Sequence, residues 1–175
     1  MRYPSLVLLG ASPLLIGAAS SVSVSGKSIA DIRVDTSVGT VEGFVDPALP
    51  GVKQWLGVPF AEPPVGPLRW KAPVPKARAR SPIAAKTAPK SCQQFITPGP
   101  GIFNTLVPEF NPVAQFSEDC LYLNVIAPVK PCTEALPVLV WVHGGALQGG
   151  GINTPYERPQ QWVQRSQGHI VVQIK

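Results

Sequence analysis

Charge is scarce in this chain. Asp, Glu, Lys and Arg make up 14% of its 175 residues, against 45% hydrophobic residues. That balance excludes a self-repelling disordered chain and suits one domain with a buried core. Histidine is scarcer still, present only as His143 and His169. No apolar run reaches the roughly 20 residues a bilayer span needs; the one at 6–19 stops short and contains Pro13. No asparagine opens an N-glycosylation acceptor, since Asn104, Asn111, Asn124 and Asn153 all fail the pattern. Between Glu62 and Glu109 there is no acid at all, while Arg69, Lys71, Lys76, Arg78, Arg80, Lys86 and Lys90 fall there. A nucleic-acid surface built on that strip would want aromatic platforms, and none occurs between Trp70 and Phe95. The strip therefore reads as a solvated Pro/Ala-rich surface loop, with no nucleic-acid partner expected. Proline is abundant, at 21 residues, which argues against long uninterrupted helices.

The most organised stretch is 136–151, LPVLVWVHGGALQGGG. Val138–Val142 is a continuous apolar run bounded by Pro137 and by Gly144 and Gly145, the pattern of a strand buried on both faces. The glycines after it allow unusual backbone angles and close approach to bare N–H groups. Exposed amides at the end of a strand are a place to hold a negative oxygen.

At the other end, Arg2 is followed by the apolar residues 6–19 and by small residues at 17–21. This is the layout of a secretory signal peptide over 1–20, cut near Ala19 or Ser20. Residues 21–175 are then expected to be exported. Three cysteines fall in that oxidising setting. A bridge between Cys92 and Cys120 would close a loop worth about 3.6 kcal/mol. Cys132 would be left free or paired outside this chain.

Taken in order, 32–34 and 40–45 alternate apolar and polar around 35–39 and predict a hairpin. Val52–Pro59 reads as a third strand. The segment 60–67 is too rich in proline for helix, and 73–90 has no periodicity. Residues 92–119 form a long loop, the kind that is usually functional. Strands follow at 120–126 and Val138–Val142. A helix is expected over 159–167, with Pro159 at its start and Gly168 at its end, then a buried strand at Ile170–Ile174. Two partial motifs fail. Gly26, Lys27 and Ser28 lack the upstream glycine of a phosphate-binding loop, and the glycines of 144–151 fit no dinucleotide fingerprint.

Three stretches resemble one family. GVPFAEPPVGPLRW at 57–70, EDCLYLNVIAP at 118–128 and VLVWVHGGALQGG at 138–150 look like the corresponding segments of type B carboxylesterases, in the same order and spacing. That family includes cholinesterases and fungal lipases, and the likeness runs from 32 to 175. It implies an α/β-hydrolase fold, here its N-terminal part, with a mixed, mostly parallel central sheet and an N-terminal β-hairpin. It also implies ester hydrolysis by a Ser–Glu/Asp–His triad, with backbone N–H groups cradling the oxyanion. Matched by position, those donors fall on Gly145 and Ala146, the latter standing where the family usually has glycine and expected to serve provided its φ is negative. His143 and Gly144 would support the loop. The resemblance matches the Cys92–Cys120 bridge to the family's first disulfide loop. That loop contains Phe95, Phe103, Phe110 and Phe116 but no tryptophan, which suits acyl or aryl esters better than a quaternary ammonium.

No G-x-S-x-G occurs in these residues, and no triad can be assembled from them. Ser166 lies three residues before His169, but the family places its serine and histidine far downstream. The expectation is therefore the N-terminal portion of a secreted carboxylesterase or lipase, acting on ester or lipid small molecules. Alone it should be inactive and poorly folded, with Ile170–Ile174 as an uncovered edge. The alternatives are a non-catalytic cholinesterase-like binding or adhesion module, and a small stand-alone binding protein. Neither cofactor nor metal is expected.

Overall fold

The computed structural model describes residues 32–95, 101–111 and 115–175. The expected signal segment lies outside them. Strand β1 (Arg33–Thr36) turns into β2 (Gly39–Glu42), with Arg33 opposite Glu42 and Thr36 opposite Gly39. This is the expected hairpin. Its tight turn needs Gly39, whose φ of 119° an L side chain rarely adopts. At Gly43 the chain leaves this sheet. A Cβ there would fall 2.3 Å from the Gln54 carbonyl oxygen, so only glycine lets β3 (Phe44–Val45) reach β4 (Val52–Pro59). Residues 83–84 form β5 (Ile83–Ala84), parallel to β2.

Beyond the two-residue strands β6 (Ser91–Cys92) and β7 (Phe116–Ser117), which pair with each other, comes β8 (Tyr122–Pro128). A short helix α1 (Ile102–Thr105) lies between β6 and β7. The chain finishes as β9 (Val138–Val142), helix α2 (Gln160–Ser166) and β10 (Ile170–Ile174). The main sheet has the order β3-β4-β8-β10-β9. Among the described residues its only parallel pair is β9 with β10; the other three pairings are antiparallel. The expected mostly parallel sheet is thus corrected. Parallel neighbours need a crossover, and in this sheet only β9–α2–β10 supplies one.

Each face of the sheet has its own core. On one, Val52, Ile126 and Val171 pack beneath Val163 of α2. On the other, Trp55 and Val58 meet Val38, Val41 and Ala85, with Leu123, Val125 and Ala127 partly buried against them. Helix α2 has seven residues, too few to be stable alone, and it is held by Val163 and by its C-terminal cap. That cap is Gln167 rather than Gly168, with φ 49°. Its side-chain amide offsets the strain by donating to Gly51 O and Gln164 O, both at 3.0 Å, and by accepting from Lys130 N at 3.1 Å.

Strand β9 differs most from expectation. Val138, Val140 and Val142 are 56–69% exposed, and Leu139 and Trp141 on the opposite face are exposed too. The strand is paired only with β10, and nothing among the described residues covers either face. The uncovered edge is therefore β9, while β10 lies inside the sheet with Val171 and Gln173 buried. Apolar composition records what a strand must pack against; here that cover is not supplied.

Four of the seven cations of the basic strip face acids from outside it: Arg69–Glu118, Lys76–Glu62, Arg78–Asp35 and Lys86–Glu42. The strip is tied back by these ion pairs, and it is not all loop, since β5 and the buried Ala85 lie within it. No described helix is long and apolar enough to cross a membrane.

Candidate active site

The end of β9 runs directly into 143–151. The loop is folded back on itself more tightly than side chains would permit. Gly145 has φ 133°, and a Cβ on it would sit 2.0 Å from Gly149 O; Gly150 has φ 107°, and its Cβ would sit 2.2 Å from Gly144 O. Ala146 and Leu147 follow in the left-handed region, with φ of 53° and 60°.

Two of the occupied carbonyls in this loop settle where two N–H groups point. His143 Nδ1 lies 2.9 Å from Gly144 O. A carbonyl only accepts, so Nδ1 carries the proton. Gly145 O accepts from Gln148 N at 2.9 Å and Gly149 N at 3.2 Å. A trans peptide is planar, with its C=O and N–H opposed. The Gly145 N–H therefore points away from the His143 ring, and the Ala146 N–H points away from the 148–149 turn. Among the described residues neither amide has a partner. The condition of a negative φ at Ala146 is not met, yet the donor remains. Its direction depends on the Gly145–Ala146 peptide plane, not on the rotation after its own nitrogen.

The Cys92–Cys120 bridge is present, with Cα atoms 5.1 Å apart, and Cys132 is free and exposed among the described residues. The bridged loop lies against the glycine loop. Gln94 makes the side-chain contact. Its Nε2 donates to Gly150 O at 3.0 Å and to Cys92 O at 3.2 Å, and its Oε1 accepts from Gly150 N at 2.7 Å. Phe95 N donates to Gln148 O at 3.3 Å. Nothing in the sequence singled out Gln94. Its role depends on two loops meeting across 56 positions, and only its place beside a bridged cysteine hinted at it.

In the bridged loop Phe95, Ile102 and Leu106 are exposed, and Phe110 stacks on Tyr156 with ring centroids 4.1 Å apart. Phe116 is half-buried, and the Phe103 side chain lies outside the described residues. Where the loop closes, Tyr122 Oη donates to Asp119 at 2.8 Å. Burial, and then that bond, push its pKa up to about 12.

Ser166 Oγ and His169 Nδ1 are 2.9 Å apart. The pair sits at the wrong end of the sheet to serve the loop. His169 precedes β10, whereas 143 follows β9, and five paired residues separate the two ends by about 16 Å. Ser166 Oγ also accepts from Gly168 N at 3.4 Å, and the His169 ring packs on Trp162 at 4.2 Å. This is a helix end held by local bonds. A cavity of about 730 Å³ lies under α2, lined by Gln54, Asn124, Asn153 and Gln173 among others, and no residue of 143–151 reaches it.

Comparison with known proteins adds an independent finding. A family model described as "Carboxylesterase family" matches residues 30–175. "Secreted lipase 5" of Gibberella zeae is 39% identical, aligned over 100% of this chain and 35% of its own length. "Chlorogenic acid esterase" of Aspergillus niger is 43% identical over 81% of this chain and 28% of its own. "Acetylcholinesterase" of Electrophorus electricus is 39% identical over 69% and 19%. The chain spans about a third of the length of the first of these curated relatives, and less of the other two.

Proposed function

The chain belongs to the carboxylesterase family, and from that premise we propose that the protein carrying it is a secreted carboxylic ester hydrolase of the α/β-hydrolase fold. In this reading the Gly145 and Ala146 N–H groups receive the oxygen that becomes negative when an ester carbonyl is attacked. The observation that carries it is the pair of unpartnered amides, each aimed outward by the occupied carbonyl of its own peptide unit. A donor so placed stabilises the tetrahedral transition state by about 3–4 kcal/mol.

The nucleophile is a serine beyond these 175 residues, since no G-x-S-x-G occurs within them. The 175 residues alone are inactive, because an oxyanion cradle without nucleophile or base gives only a residual rate. Exposed Phe95, which meets the glycine loop at Gln148, and the further exposed apolar residues Ile102 and Leu106 of the bridged loop favour apolar acyl or aryl esters. The names of the lipase and of the chlorogenic acid esterase support export and ester substrates.

The test is turnover of p-nitrophenyl esters of increasing acyl length by the complete secreted protein. Hydrolysis that a fluorophosphonate abolishes is the expected result. A folded, soluble protein that turns over none of the series would overturn the reading.

A further inference from the structure

Gln94 makes three hydrogen bonds, two of which join the bridged loop to the glycine loop. On Gly150 it grips both backbone groups at once, donating to the carbonyl and accepting from the amide. A strand neighbour grips a residue in the same way. The third bond ties the same side-chain amide to Cys92 O, next to the disulfide. Space has been left for it. A Cβ on Gly149 would stand 2.8 Å from Gln94 Oε1, so glycine at 149 is what admits the side chain.

The connection continues to the candidate donors. Gly149 N bonds Gly145 O, and that carbonyl shares its peptide plane with the Ala146 N–H. A Cβ on Gly150 would also strike His143 Nδ1 at 2.6 Å, so Gly150 packs against the ring that holds Gly144 O. Both donor-bearing peptide units thus lean on the residues that Gln94 holds. The loop needs such an external hold, because Ala146 and Leu147 are strained and would relax if released.

We propose that Gln94 is a positioning residue: by clamping Gly150 to the disulfide-anchored backbone at Cys92, it fixes the orientation of the Gly145 and Ala146 N–H groups. The catalytic part of this proposal rests on the ester-hydrolase reading above. Gln94 touches no substrate and moves no proton. Its effect on rate comes from the sensitivity of catalysis to small displacements of its donors.

The informative substitution is Gln94→Glu. It keeps the shape and volume of the side chain but turns the donating nitrogen into a carboxylate oxygen facing two carbonyls. Protonating that carboxyl restores a donor. In the complete protein, kcat should fall about tenfold at neutral pH with KM within about twofold, as expected for donors moved rather than removed. The ratio to wild type, taken at each pH, should recover as the pH falls through the titration of the new carboxyl. That recovery within one folded protein separates positioning from damage to packing. Gln94→Met, which keeps the volume and cannot make the bonds, should lose activity with no recovery. In parallel, amide hydrogen exchange of 145–150 should quicken at least tenfold in Gln94→Met.

Unchanged exchange would overturn the clamp. Faster exchange with unchanged kcat would overturn its catalytic role. If the wild type hydrolyses no ester, the function assigned above fails, and the exchange comparison still decides whether Gln94 sets the loop.

Discussion

Ala146 and Leu147 stand in the left-handed region with nothing in their side chains to favour it. Such a conformation costs an ordinary L residue about 1–2 kcal/mol. Glycine would remove that cost at Ala146 while adding about 0.5–1 kcal/mol of unfolded-state entropy. Ala146→Gly is therefore expected to leave the melting temperature unchanged or slightly raised, with esterase activity in the complete protein retained. Ala146→Val should lower both, because a β-branched residue tolerates positive φ worst. Thermal melts and ester turnover of the two variants check this. At this scale the sequence was partly legible. Glycines at 145 and 150 announced unusual backbone, and both positions need them. His143 was expected to support the loop, but its partner, Gly144 O, was not legible in the sequence. Gln94 was not legible, because a polar residue in a long loop carries no periodicity or motif that says what lies opposite.

Among the elements, the bridged loop and β8 meet at Tyr122. Its folded pKa of about 12 lies above the ordinary 10.0, so the fold favours the protonated phenol. That contribution is fully present below pH 10 and is lost as the pH rises through 12. An alkaline titration should show a structural transition in that window, and Tyr122→Phe should remove the Tyr122 part of it. Tyrosinate absorbance against circular dichroism reads both. The disulfide acts on the same loop. Replacing Cys92 and Cys120 together by serine should cost about 3.6 kcal/mol of stability, by the loop-closure estimate for 28 residues. Denaturant unfolding of the two forms measures it. Strand β4 and the hairpin were legible because alternation and turn chemistry are local. Helix α2 was legible to within a residue at each end. The parallel or antiparallel sense of pairing in the sheet was not, because it depends on which strands are joined by crossovers. The cover of β9 was not legible either, since an apolar run states a need and not its fulfilment.

Among the described residues as a whole, β9 presents an unpaired edge with both faces exposed and five apolar residues in a row. Such an edge is a template for pairing with another chain. The 175 residues expressed alone should self-associate, and Val140→Lys should shift them toward monomer by placing a charge on the exposed face. Sedimentation of the two forms tests this, and equal monomer fractions would count against β9 as the contact. The larger claim is that the glycine loop holds two backbone donors ready for an oxyanion, and it can be tested one hydrogen at a time. Replacing Ala146 by lactic acid in the complete protein changes the amide to an ester. It removes the N–H and leaves the side chain in place. If the Ala146 amide is an oxyanion donor, kcat for p-nitrophenyl esters should fall by about 100-fold or more, with KM little changed. An unchanged kcat would contradict the account.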